Sequence, residues 1–173
     1  TQGVRSITPT SLKSVEDQLI SVFEDFKIDS VKIGMLNNSK TVELVADILK
    51  EYKPGFVVLD PVMTSSSGEV LTEQDAVSTM IEKLFPCCSL ITPNLDETYS
   101  ITSSYLPQFR FDKFQLFEEI KQHALQIFNL GVENVLITGV LSKELNYFRD
   151  NYDKTTKHNI FDLLLSKKEF SIF

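Results

Sequence analysis

The chain has 173 residues, 42% of them hydrophobic and 24% charged, and its formal net charge is -7. That composition suits one compact domain over residues 1–173 and argues against disorder. The negative balance speaks against a basic nucleic-acid face or a polybasic membrane anchor. The longest apolar runs also fall far short of the roughly 20 residues of a membrane span.

No signal-peptide pattern is present. The neighbouring Cys87 and Cys88 are the only cysteines, and they lack the spacing of a zinc site. They read as reduced thiols of a cytoplasmic protein. The first residue is Thr1 rather than methionine, so the chain reads as an excerpt.

In chain order, residues 10–26 (TSLKSVEDQLISVFEDF) repeat Leu12, Val15, Leu19, Val22, Phe23 and Phe26 at helical spacing. SVKIGML reads as a short strand. In SKTVELVADILKEY, Val42, Val45, Ala46 and Leu49 share one face of an amphipathic helix. GFVVLD is a strand. TEQDAVSTMIEKLF is a helix with Thr72 as N-cap and Asp75 three residues on. SLITPN is a strand and LDETYSIT a short helix. A longer helix begins near Asp112, with Gln115 completing a capping-box-like pair, and Gly131 stops it. NVLITGV is a fourth strand. Residues 142–159 are polar and aperiodic and read as a loop or hairpin connection. IFDLLL and KEFSIF follow as two strands joined by a turn at SKK. Apolar strands alternating with helices imply an α/β fold with a mainly parallel sheet covered on both faces.

Polar or special residues gather at the strand ends. The first strand ends in Gly34-Met35-Leu36, the second in Asp60-Pro61-Val62-Met63, the third in Thr92-Pro93-Asn94 with Glu97 beyond, and the fourth in Thr138-Gly139. In open parallel sheets ligands bind outside those ends, so these groups are expected on one rim. Each also has a plain structural reading. Asp60 can cap a turn and Asn94 a helix, Glu97 can face a helix dipole, Met35 can fill core, and Gly34 can admit close backbone.

Chemistry narrows the choice. Asp60 and Glu97 on neighbouring strand ends suit a Mg²⁺ ion beside a bound phosphate. There is no GxxxxGK, and no GxGxxG follows a strand, which argues against a P-loop NTPase or a dinucleotide-binding module. His123 and His158 sit in no Ser/His/Asp arrangement.

With VKIGML, VVLDPVM before a small-residue loop, and LITPNLDE in this order, the chain resembles the hydroxymethylpyrimidine/phosphomethylpyrimidine kinases of thiamine biosynthesis. These belong to the ribokinase-like superfamily, with its three-layer α/β/α fold. TQGVRSI at the start and FDLLLSKKEFSIF at the end fit the same pattern. The resemblance implies ATP-dependent phosphorylation of hydroxymethylpyrimidine or its monophosphate, with Mg²⁺ as cofactor. It places Asp60, Asn94, Glu97 and Thr138 around the nucleotide, with Asp60 and Glu97 toward the metal. It places Gly34, Met35 and Val62 at the pyrimidine. The acidic composition implies no nucleic-acid or membrane partner, and a sheet left partly uncovered by a missing first strand leaves room for a homodimer.

The family's glycine-rich first strand lies before Thr1. Its Gly-Thr-Gly-Cys-like anion hole and the residue that activates the nucleophile lie beyond Phe173. These 173 residues are therefore expected to hold the central portion of a kinase, with no catalytic residue of their own and no turnover alone. The family's lysine-glycine-glycine run is replaced by Thr138-Gly139-Val140. The alternatives are a pyridoxal kinase-like vitamin kinase and a degenerate, non-catalytic binding or scaffold protein.

Overall fold

The computed structural model describes residues 5–65, 69–107, 116–141, 160–167 and 169–173. The chain divides into two compact units, Thr1–Ile91 and Thr92–Phe173.

The first unit alternates helix and strand: α1 (Leu12–Asp25), β1 (Ser30–Ile33), α2 (Ser39–Tyr52), β2 (Phe56–Leu59), α3 (Gln74–Thr79) and β3 (Leu90–Ile91). The strands pair in parallel, with Ile33 opposite Leu59 and Leu59 opposite Ile91. Val42, Val45, Ala46 and Leu49, the predicted face of α2, are all buried, as are Val57 and Leu59 of β2. Asn38 caps α2 by accepting from the Thr41 amide at 3.0 Å, and Lys53 ends the helix in the left-handed region at φ 48°. The predicted apolar face of α1 is less covered. No residue of this helix is buried, although Phe23 stacks on Tyr52 with ring centroids 4.7 Å apart.

The third helix corrects the predicted start. Glu73, not Thr72, stands at its N-cap and makes no side-chain cap bond. The Thr72 hydroxyl is turned inward and is spent elsewhere, on Leu36 O at 3.2 Å and Val62 O at 2.9 Å. After Thr79 the helix widens into a π-helical turn, Met80–Leu84, and then tightens into a 3₁₀ turn at Phe85–Cys87. Met80, Leu84 and Phe85 are buried there.

The second unit holds α4 (Leu95–Thr102), α5 (Leu116–Asn129), β4 (Asn134–Leu141), β5 (Ile160–Ser166) and β6 (Glu169–Ile172). β4 pairs with β5 and β5 with β6 in antiparallel fashion, and β5 and β6 form the predicted hairpin, with Leu165 opposite Phe170. Ile120, Ala124 and Ile127 of α5 are buried, as are Val135 and Ile137 of β4 and Leu163 and Leu165 of β5. Gly131 has φ 106° just past α5, the left-handed backbone that stops a helix. The predicted start of this helix at Asp112 and Gln115, and the predicted loop or hairpin connection over 142–159, lie outside the described residues.

The fourth strand does not end at Thr138-Gly139 as predicted; it continues to Leu141. Ile137 faces Leu163 and Val140 faces Phe161, so Thr138 and Gly139 together stand opposite the single Asp162. This is a β-bulge. Gly139 supplies its positive φ of 71°, and its amide donates to Asp162 Oδ1 at 3.0 Å.

Candidate functional site

In the first unit, β1 and β2 run in parallel, so both finish at the same end of the unit. The Asp60 amide donates to Ile33 O at 2.8 Å, which extends the ladder by one residue and fixes Asp60 beside the exit of β1. The Val62 amide then donates to Asp60 O at 2.8 Å, turning the chain tightly through Pro61. The proline has no amide to offer and favours such a turn.

The Asp60 side chain is about one-third exposed, and its Oδ2 accepts from Lys32 Nζ at 3.0 Å. Gly34, Met35 and Lys32 line one groove of about 400 Å³, with Val31, Asn37 and Asn38 among its other walls. Met35 is 40% exposed, so it is not core filler. A Cβ built on Gly34 would meet nothing within 4 Å, so the glycine leaves the groove open there. Asp60 and Val62 do not line this groove.

The chain returns to the same strand ends after β2. Thr64 and Val70 form an antiparallel bridge, and the Leu71 amide donates to Met63 O at 2.8 Å. Asn37 Nδ2 donates to Leu71 O at 2.9 Å. Buried Thr72, shared between Leu36 O and Val62 O, therefore ties the segment after β1 to the segment after β2.

In the second unit, Asn94 is the N-cap of α4. Its side chain accepts from the Glu97 amide, and Glu97 Oε2 accepts from the Asn94 amide, each at 2.9 Å. Glu97 is 6% exposed, and this reciprocal capping box explains how a buried carboxylate is held. The box satisfies the Asn94 and Glu97 amides, and Asp96 and Glu97 place two acids in the first turn, where the helix dipole favours negative charge. Thr138 bridges Asn94 in parallel fashion, and its amide donates to Pro93 O at 2.9 Å. The second unit thus brings Asn94, Glu97 and Thr138 together.

Among the described residues, no three His, Cys, Asp or Glu side chains gather to hold a metal. A Mg²⁺ ion commonly keeps several waters and takes only one or two carboxylates plus substrate phosphates. The part-exposed, hard-oxygen Asp60 fits that donor role, as a partner to phosphate rather than as part of a protein cage.

His123 contributes differently. It is buried, its Nδ1 lies 2.5 Å from Thr102 Oγ1, and the ring bonds the Pro107 carbonyl. Burial pulls its pKa below 6.5, and the Pro107 bond opposes that only in part. Cys88 is buried as well, and burial pushes its thiol up to about 12, so it stays protonated and unreactive.

Sequence reasoning passed over Lys32, Thr72 as a tie, and Asp162. Lys32 and Asp162 do carry a signal, since each is a lone charge inside an apolar strand, SVKI and IFDLLL.

The model of the family described as phosphomethylpyrimidine kinase matches residues 1–173. The hydroxymethylpyrimidine/phosphomethylpyrimidine kinase of Haemophilus influenzae is 40% identical over 139 residues, covering 80% of this chain and 49% of that protein. The chain thus spans about half the length of that relative. A crystal structure of phosphomethylpyrimidine kinase from Clostridium difficile 630 superposes with a TM-score of 0.77 at 28% identity, over 100% of this chain and 65% of that one. An ADP complex of Bacillus subtilis pyridoxal kinase superposes with a TM-score of 0.72 at 26% identity, over 95% of this chain and 55% of that one.

Proposed function

The chain belongs to the phosphomethylpyrimidine kinase family, with a ribokinase-like α/β fold, and from that premise we propose that the protein containing it transfers phosphate from ATP to hydroxymethylpyrimidine or its monophosphate. The observation that carries the proposal is the joint exit of β1 and β2. Gly34 and Met35 open a groove beside the strand end that also fixes Asp60.

In this reading residues 1–173 form part of one kinase domain. Met35 and Val62 contact the flat pyrimidine, and Gly34 leaves room for it. Asp60 would hold Mg²⁺, which would supply charge neutralisation to the nucleotide phosphates. Asn94, Glu97 and Thr138, which the second unit brings together, serve the nucleotide. Glu97 keeps its cap bond to Asn94, and its metal role rests on the family resemblance alone. Phosphoryl transfer asks little covalent chemistry of a protein, so these residues act by positioning and by charge neutralisation.

Among the described residues no helix is long and apolar enough to cross a membrane. A cytoplasmic enzyme, able to pair with a second copy, is part of the proposal.

The pyridoxal kinase likeness supplies the second reading. The separating experiment compares kcat/KM for hydroxymethylpyrimidine and for pyridoxal in the protein containing residues 1–173. A clear preference for the pyrimidine supports the proposal, and a preference for pyridoxal replaces it with the second reading. No transfer to either, with no ATP binding, would favour a non-catalytic protein.

A further inference from the structure

Lys32 and Asp60 form an ion pair whose placement is set by the sheet. Lys32 sits on β1 opposite Val58 of β2, one residue before Ile33. The carbonyl of Ile33 holds the Asp60 amide at 2.8 Å. The backbone ladder therefore brings the two side chains together at the strand ends, and Nζ meets Oδ2 at 3.0 Å. Among the described residues this is the only ion pair that either residue makes. The Lys32 side chain is otherwise well exposed and also lines the groove that Gly34 and Met35 open.

A lone carboxylate at this position would repel a polyphosphate, on a chain whose net charge is already -7. The ammonium cancels that charge locally. It also occupies one oxygen of the carboxylate proposed to take the metal. An exposed pair of this kind is weak, because water and salt screen it, and so it can be exchanged.

Resting on the proposed metal role of Asp60, we infer that Lys32 is a positioning residue, the resident counter-ion of that carboxylate. A divalent cation displaces it, and the released ammonium turns to the groove. Lys32 thus keeps Asp60 neutralised and aimed before the nucleotide arrives, and it lowers the affinity of the empty site for free metal.

The test uses Mn²⁺ as probe, read by water-proton relaxation with and without ATP, in the protein containing residues 1–173. Wild type, Lys32→Gln, Lys32→Arg, Asp60→Asn and the Lys32→Gln/Asp60→Asn double variant are compared, with circular dichroism to confirm folding. Lys32→Gln is expected to bind Mn²⁺ about threefold to tenfold more tightly, the range left after screening of a contact charge pair. Lys32→Arg should stay near wild type, and the gain should vanish in the double variant. Unchanged or weaker binding in Lys32→Gln, with Asp60→Asn still weakening it, overturns the counter-ion role and leaves the metal role of Asp60 standing. Equal tightening in Lys32→Arg overturns it too, since the charge is kept. If Asp60→Asn leaves Mn²⁺ binding unchanged with ATP present as well as without it, the metal role itself fails and the inference falls with it.

Discussion

The side chain of Asn94 accepts from the Glu97 amide at 2.9 Å, while Glu97 Oε2 accepts from the Asn94 amide at the same distance. Two residues expected to serve a nucleotide thus also start α4. Asn94→Ala removes the cap and should cost about 1 kcal/mol of stability in urea unfolding. Asn94→Ser keeps a capping oxygen and should leave stability within a few tenths of a kcal/mol while weakening ATP binding, if the amide group contacts the nucleotide. Equal ATP affinity in Asn94→Ser and wild type would confine Asn94 to the cap.

Thr72 spans the two strand ends through a hydroxyl shared between Leu36 O and Val62 O. Thr72→Val keeps the shape and deletes that tie, at a cost of about 1 to 2 kcal/mol. Because Met35 and Val62 adjoin the tied carbonyls, the Michaelis constant for the pyrimidine should rise severalfold more than that for ATP. A proportional rise for both substrates would reduce Thr72 to a general stability role.

His123 gives stability a pH dependence of defined sign. Its pKa in the folded protein lies below 6.5, because burial disfavours the imidazolium. As pH falls through 6.5, the unfolded chain takes up a proton that the folded chain resists, so stability drops until the lower folded pKa is passed. One proton limits the slope to about 1.4 kcal/mol per pH unit. Urea midpoints measured from neutral pH downward should fall more steeply for wild type than for His123→Gln. Parallel slopes would show that His123 titrates normally.

Lys53 closes α2 at φ 48°, ψ 58°, with its amide on Leu49 O at 2.9 Å. A side chain there is strained, and glycine is not. Lys53→Gly should gain about 0.5 to 1 kcal/mol of stability, offset in part by the freer unfolded chain. A loss of stability would mean that the Lys53 side chain makes up for its backbone.

The helical and strand periods of residues 30–60 were legible because their buried faces follow simple spacing, as at Val42, Val45, Ala46 and Leu49. Gly34, Asp60 and Asn94 stood out because they interrupt apolar strands at their ends. Thr72 was misplaced because a threonine before a helix satisfies the N-cap pattern equally well, and only the tertiary approach of Leu36 O and Val62 O decides otherwise. The bulge at Thr138-Gly139 was mistaken for a strand end for a similar reason. A glycine with positive φ reads as a stop until the facing Asp162 shows that pairing resumes at Val140. The exposure of α1 was hidden because periodicity reveals an apolar face without revealing what covers it.

The most direct test of the kinase reading is transfer of the ATP γ-phosphate to hydroxymethylpyrimidine, followed against Mg²⁺ concentration in the protein containing residues 1–173, with and without Asp60→Asn. Magnesium-dependent turnover is expected in wild type. In Asp60→Asn it should fall at least about tenfold, or equivalently by about 1.4 kcal/mol of transition-state stabilisation, with the fold intact by circular dichroism. Turnover and magnesium dependence unchanged by Asp60→Asn would contradict the assignment of Asp60 and, with it, the placing of the metal at the end of β2.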